Sequence, residues 1–226
     1  MKHSFGELFN TPLFNSKVTI YNLNIDINAY HKILLISDCH IQDNIPLFKS
    51  ELKHLISKEQ PTILLVLGDL VNGSWPKGPA VLQDLMFEFQ NYSIPTYIIG
   101  GNHDRPYVDV NQSIQGVTLI KDTAILLKIQ QEQSNLLNIY FAHDLLNNFR
   151  VRDKHAISFF DWIKSGAEKI NSDDWLICGH SHTSLISNSV RCACIGQFSP
   201  ENNIRCYSIL DIINKNAKLS EKVIIS

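Results

Sequence analysis

The sequence predicts an α/β fold in which helices connect the strands of a parallel sheet. Three short apolar runs, at residues 33–36, 63–67 and 96–99, each stop abruptly at polar residues. Such runs are typical of strands that are buried on both faces of a layered sheet. Apolar residues at helical spacing lie between the runs, and a strand–helix–strand order indicates parallel βαβ units. The polar residues that follow the strands should therefore meet at the carboxyl edge of the sheet.

Each remaining segment also has a predicted element. Residues 17–27 alternate apolar and polar side chains, which predicts a half-buried edge strand with an antiparallel neighbour. Residues 46–59 carry apolar side chains at helical spacing behind Pro46, which predicts a helix. The other expected elements are a helix around residues 82–89, strands at 117–129 and 136–142, a helix near 155–170, and strands at 175–178, 190–195, 204–212 and 222–225.

Composition predicts a single globular domain over residues 1–226. With 44% hydrophobic residues, a chain of this length can bury one large core. The net charge of −2 provides no strong field that would attract nucleic acid or an anionic membrane. We find no apolar run of membrane-spanning length and no signal-peptide pattern, so we expect a cytoplasmic protein without a membrane partner. The five cysteines lack C-x-x-C spacing and are expected to be reduced core residues. The oligomeric state is not indicated.

Possible metal ligands follow five of the predicted strands. Taken singly, a histidine beside a strand is usually an ordinary polar residue, and Gly-Asp is usually a turn. Together they form a set of seven candidates, with His103 in addition: Asp38, His40, Asp69, Asn102, His143, His180 and His182. A structural zinc site closes around four ligands, so seven are too many for one ion. Seven ligands suit two ions that share a bridging carboxylate, an arrangement used to hydrolyse phosphate esters.

The same residues form motifs that resemble those of the calcineurin-like metallophosphoesterases. The motifs lie within residues 36–182, in the order of that family: Asp38-x-His40, Gly68-Asp69, Gly101-Asn102-His103-Asp104, His143 and Gly179-His180-x-His182. The resemblance implies a four-layer α/β/β/α sandwich, in which two mixed sheets are flanked by helices. It also implies a centre of two divalent ions, with manganese as the first expectation and iron, zinc, nickel or magnesium as alternatives.

The resemblance assigns a role to each motif residue. It implies that the first ion is held by Asp38, His40 and His182, and the second by Asn102, His143 and His180. Asp69 would bridge the two ions. His103 would be the general acid or the hydrogen-bond donor to the transition state, and Asp104 would orient its imidazole. A hydroxide bridging the ions would attack phosphorus in line, while His103 assists the leaving oxygen.

The expected substrate is a small, nucleotide-like phosphate ester, with a phosphodiester preferred over a phosphomonoester. Arg105 follows the third motif and is a candidate contact for a phosphate group, because a guanidinium can bind two oxygens. Two alternatives remain open. A nuclease would use the same ions on DNA or RNA and could grip the strand through the basic residues at 150–154. A non-catalytic scaffold with the same fold would have lost ligands, whereas all seven positions are filled here.

Overall fold

We analysed a computed structural model of the chain. It describes residues 19–26, 28–73, 75–104, 112–120, 123–130, 136–143, 174–187, 192–200 and 202–225. Within these residues the helices are α1 (Ile45–Glu59) and α2 (Gly78–Asn91). The strands are β1 (Thr19–Leu23), β2 (His31–Ile36), β3 (Ile63–Val66), β4 (Thr96–Ile99), β5 (Gln112–Ile114), β6 (Val117–Ile120), β7 (Thr123–Gln130), β8 (Leu136–Ala142), β9 (Trp175–Cys178), β10 (Leu185–Ser187), β11 (Cys192–Cys194), β12 (Ile204–Ile213) and β13 (Asn216–Ile225).

The first sheet contains the predicted parallel strands. Its order is β13-β12-β2-β3-β4-β6-β5, and β2, β3, β4 and β6 are mutually parallel. The strands β12, β13 and β5 pair in the antiparallel sense at the two sides. The carboxyl ends of β2, β3 and β4 therefore lie at one edge, as the apolar runs predict.

The second sheet packs face to face on the first. Its order is β1-β7-β8-β9-β11-β10, and it mixes parallel and antiparallel pairs. Leu35 and Leu65 point into the core between the sheets, where they join Phe141 and Ile177. Alternate residues such as Leu34 point the other way, into the core under α1 and α2. Two cores on opposite faces explain why the runs at 33–36 and 63–66 are apolar without alternation. The two-sheet α/β prediction is confirmed.

Three details of the predicted order are wrong. The strand predicted at 17–27 ends at Leu23. Its strand β1 pairs with β7 in the parallel sense, because alternation reports which face is exposed and not strand direction. The run at 117–129 is two strands, β6 and β7, which belong to different sheets. The charged residues Lys121 and Asp122 separate the two strands in the sequence, and the single predicted strand ran through them. The short strands β5 and β10 were not predicted, and the predicted helix near 155–170 lies outside the described residues.

The cysteines in the described residues are thiols. Cys39 is fully buried and packs in the core beneath the helices, as expected for the residue between two candidate ligands. Cys192 and Cys194 lie on one half-buried face of β11, and the Cys194 Sγ atom is 3.3 Å from Cys178 Sγ. Among the described residues, no helix combines the length and the apolar character needed to span a membrane.

Candidate metal centre

The first group of candidate ligands brings together the loops after β2 and β9. The donor atoms of Asp38, His40 and His182 all lie within 4.8 Å of one another. The His40 and His182 Nε2 atoms are 3.1 Å apart, and His182 Nε2 is 3.3 Å from Asp38 Oδ1. Asp38 Oδ1 is buried and has no hydrogen-bond partner among the described residues, which is costly for a carboxylate oxygen. A divalent cation among these three side chains would satisfy that oxygen.

The second group lies at the ends of β3, β4, β8 and β9. Around His143 Nε2 stand Asn102 Oδ1 at 3.0 Å, His180 Nδ1 at 3.2 Å and Asp69 Oδ2 at 3.3 Å. The other ring nitrogen of His143, Nδ1, donates a hydrogen bond to the Leu67 carbonyl at 2.8 Å. In neutral His143 the Nε2 atom therefore carries a lone pair, which faces oxygen and nitrogen acceptors. A cation at the centre of these converging acceptors, whether a metal ion or a proton on His143, would satisfy them.

The raised pKa of His143 also indicates that this position favours a positive charge. Burial lowers the pKa of this imidazole, but its hydrogen bond to Asp69 and the charge of that carboxylate raise it to about 9. Burial raises the pKa of Asp69, but its contacts with His143 and the backbone N–H of His103 bring it below its usual value. A proton on His143 satisfies the acceptors when no metal is bound. A metal ion would replace that proton, because a ligating histidine must be neutral.

Asp69 lies between the two groups. Its Oδ2 atom is 3.3 Å from His143 Nε2 and 3.8 Å from His40 Nε2, so one oxygen approaches a histidine of each group. Its Oδ1 atom accepts a hydrogen bond from the His103 backbone N–H at 2.8 Å. The donor atoms of Asp69, His40 and His103 also lie within 4.8 Å of one another. The two ligand groups therefore adjoin, and Asp69 approaches a histidine of each.

His103 and Asp104, the two residues predicted to assist catalysis, have hydrogen-bond partners that differ in part from the expected ones. His103 Nδ1 accepts a hydrogen bond from the Gly73 backbone N–H at 2.9 Å. Asp104 was expected to orient the His103 imidazole, and among the described contacts it does not. Its fully buried carboxylate instead accepts hydrogen bonds from the backbone N–H groups of Leu70, Val71 and Gly101, at 3.2, 3.0 and 3.0 Å. Burial raises the pKa of Asp104 to about 6, against these bonds.

The backbone of the ligand loops was not anticipated from the sequence. Nine non-glycine residues in the described part of the chain have a positive φ, and five of them are candidate ligands: Asp38, His40, Asp69, His180 and His182. These residues adopt the left-handed conformation that side chains usually avoid. Gly68 also has a positive φ, of 90°, and a Cβ atom there would collide with the His143 ring. The glycine before Asp69 thus makes room for a ligand from the other sheet.

Hydrogen bonds between the loops hold this backbone in place. The N–H groups of Asp38, His40 and Ile41 donate to the carbonyls of Gly68, Asp69 and Leu70, at 3.0, 2.9 and 3.0 Å. The parallel pairing of β2 and β3 thus continues beyond the strands through both ligand loops. Arg105 and the basic residues at 150–154 lie outside the described residues, so their position relative to the centre stays a prediction.

Comparison with known proteins agrees with this geometry. The sequence profile of the calcineurin-like phosphoesterases matches residues 31–206. The chain is similar in structure to an archaeal phosphodiesterase, at 19% identity and a TM-score of 0.51, over 85% of this chain and 99% of that one. It is also similar to vacuolar protein sorting 29 from Cryptosporidium parvum (14% identity, TM-score 0.47, 87% and 99% covered) and to the nuclease MPE of Pseudomonas putida (12%, 0.42, 83% and 87%).

For the archaeal phosphodiesterase, an identity of 19% indicates a shared fold and not a shared activity. No curated protein sequence is significantly similar to the chain. The family profile, by contrast, spans well over half of the chain, from the first residue of β2 into β12. Its range includes every strand end that carries a candidate ligand. On this evidence the chain belongs to the calcineurin-like phosphoesterase family.

Proposed function

We propose that this protein is a phosphoesterase with two divalent ions, which hydrolyses a phosphodiester bond in a small, nucleotide-like substrate. The observation that most supports this proposal is the position of Asp69, whose Oδ2 atom approaches a histidine of each ligand group. One carboxylate oxygen between two groups of acceptors is the arrangement expected of a bridging ligand. The same phosphodiesterase activity is named for the archaeal protein that shares the fold, and we extend it to this chain as a hypothesis.

In this proposal each of the two ligand groups holds one ion. The first ion would be held by Asp38, His40 and His182, and the second by Asn102, His143 and His180. Bound ions would supply Lewis-acid chemistry, which activates water and neutralises charge on the phosphoryl oxygens. Carboxylate, amide and imidazole donors suit manganese, iron or zinc, and we propose manganese as the first metal to test.

We assign His103 the role of hydrogen-bond donor to the phosphoryl group or to the leaving oxygen. A backbone amide can only donate, so the contact with Gly73 N–H makes His103 Nδ1 the acceptor. The proton of the neutral ring then lies on Nε2, and an Nε2 that carries hydrogen cannot ligate a metal. This tautomer favours donation over ligation, although His103 lies beside His40 and Asp69. A donor aimed at developing charge contributes about 10²- to 10³-fold to the rate.

We propose a positioning role for Asp104. Its carboxylate joins the backbone of Leu70 and Val71 to that of Gly101, so it fixes the loop after β3 against the loop after β4. These loops carry Asp69 and His103. Asp104 would therefore act on catalysis through the spacing of the loops and not through a direct bond to the imidazole.

A comparison of two chromogenic esters tests the proposed activity. The metal-free protein is reconstituted with manganese and assayed with bis-p-nitrophenyl phosphate and p-nitrophenyl phosphate, while bound metal is counted by mass spectrometry. We expect two ions per chain and faster cleavage of the diester. Absence of activity on both esters with two ions bound would support a scaffold instead, and fewer than two ions at saturation would contradict the dinuclear proposal.

The substrate class requires a wider panel. Nucleotides, cyclic nucleotides, nucleotide sugars and short oligonucleotides are compared at equal concentration. We expect the highest kcat/KM on a small diester. Preferred cleavage of oligonucleotides, with binding that weakens steeply as salt is raised, would identify a nuclease.

A further inference from the structure

Ser37 is a fully buried hydroxyl directly before the first candidate ligand. Its Oγ atom donates a hydrogen bond of 2.6 Å to Asp38 Oδ2 and lies 3.0 Å from the Leu67 carbonyl. One hydroxyl hydrogen cannot serve both acceptors fully. The shorter contact, to an ionised oxygen, is the stronger of the two because it is charge-assisted.

This bond makes the two oxygens of Asp38 unequal. Oδ2 accepts from Ser37 Oγ and also from the His180 backbone N–H, at 2.9 Å. Within the part of the chain that the structure describes, Oδ1 is buried without a hydrogen-bond partner, and it lies 3.3 Å from His182 Nε2. A carboxylate that could rotate freely would exchange the two oxygens. Here the two donors hold Oδ2 inside the protein, and only Oδ1 faces the other ligands of the first ion.

We propose that Ser37 is a positioning residue that selects Oδ1 of Asp38 as the single oxygen offered to the first metal ion. This inference rests on the proposed dinuclear function. Ser37 does not touch the ion itself. It acts through Asp38, in the way that groups hydrogen-bonded to metal ligands usually set ligand orientation and metal affinity.

The residues around Ser37 leave space for this hydrogen bond, and they indicate that it affects the first ion and not the second. A Cβ atom at Gly179 would collide with Ser37 Oγ, so the glycine before His180 accommodates the hydroxyl. The Leu67 carbonyl beside it also accepts from His143 Nδ1, at 2.8 Å. Because His143 keeps that bond when the hydroxyl is removed, loss of Ser37 should disturb the first ion and leave the second in place.

The test is Ser37→Ala, with Ser208→Ala as the matched control. Ser208 is equally buried in the same sheet, opposite Leu35 on β12, and belongs to neither ligand group. Stepwise Mn²⁺ affinities are measured by calorimetry on metal-free protein. We expect Ser37→Ala to weaken one of the two affinities by about 10- to 100-fold and to leave the other unchanged. We expect Ser208→Ala to change neither.

A Co²⁺ spectrum supplies a readout that a general loss of stability would not produce. If Asp38 is free to present both oxygens, the coordination number of the first ion rises and its visible d–d absorption weakens in Ser37→Ala. Equal weakening of both affinities, an unchanged spectrum, or the same effect in Ser208→Ala would overturn the inference. If the wild-type protein binds one ion and Ser37→Ala weakens the affinity for that ion, the dinuclear proposal is refuted and the role of Ser37 is upheld. Wild-type protein that binds none would refute both.

Discussion

Replacing Asp69 with asparagine tests the bridging assignment at a single atom. Asp69 Oδ1 accepts from the His103 backbone N–H at 2.8 Å, and the asparagine oxygen must take that position to keep the bond. The amide nitrogen then occupies the place of Oδ2, between His40 and His143. An amide NH₂ carries hydrogen and cannot ligate a metal. Asp69→Asn therefore removes both the charge and the bridging donor atom, although it changes the shape of the side chain very little.

The expected loss is large for both ions. Two unit charges about 4 Å apart interact by about 4 kcal/mol at an effective dielectric constant near 20, and a factor of ten in affinity corresponds to about 1.4 kcal/mol. We therefore expect each dissociation constant to rise by at least about 10²-fold. The metal-free fold should survive, because the new amide can donate to His143 Nε2 and a buried charge has been removed.

The assay is a stepwise Mn²⁺ titration of metal-free protein, followed by hydrolysis of bis-p-nitrophenyl phosphate at saturating metal. Asp174→Asn is the matched control, because Asp174 is also buried but lies at the opposite end of β9 from His180. The control should bind both ions with wild-type affinity. If Asp69→Asn loses one ion and keeps the other at wild-type affinity, or keeps most of its activity, Asp69 does not bridge.

Three further substitutions test other parts of the centre. His103→Ala should lower kcat by about 10²- to 10³-fold while two Mn²⁺ ions stay bound, and loss of an ion in the metal count would show that His103 is a ligand. Gly179→Ala should lower the free energy of unfolding by about 1 to 3 kcal/mol in a urea titration, because its Cβ would meet Ser37 Oγ and the Leu67 carbonyl; wild-type stability would show that the contact relaxes. His182→Gly should be more stable than His182→Ala by roughly 0.5 to 1 kcal/mol without metal, because φ at this position is 56°; the ordinary preference for alanine would show that the left-handed backbone is not retained.

The parallel half of the fold was the most predictable from sequence. Strand segments buried on both faces need apolar residues at consecutive positions, so the apolar runs within β2, β3 and β4 stand out in the sequence. The crossing from β6 in one sheet to β7 in the other is marked in the sequence only by the two charged residues Lys121 and Asp122, and nothing in that short break shows that the chain changes sheet. The direction of β1 was also hidden, since it depends on which strand lies beside it and not on its own pattern.

The candidate centre was predictable in its residues but not in its connections. Each ligand follows an apolar run, and parallel strand ends meet at one edge, which brings Asp38, Asp69 and Asn102 together. Several of the partners that orient the candidate site residues are backbone groups, such as the Leu67 carbonyl behind His143 and the Gly73 amide behind His103. Backbone groups are the same at every position of a chain. Only the folded structure therefore reveals which of them faces a ligand.

The left-handed ligand residues show how the fold holds the centre ready for metal. Their φ values lie between 45° and 64°, and each such non-glycine residue costs about 1 to 2 kcal/mol. The cost is met by bonds between the loops, such as His40 N–H to the Asp69 carbonyl at 2.9 Å. With this backbone conformation, Asp38 and His40 both belong to the first ligand group, while Cys39 between them packs into the core. Because hydrogen bonds within the chain hold this backbone, the loops would present their ligands with little ordering left for a bound ion to impose.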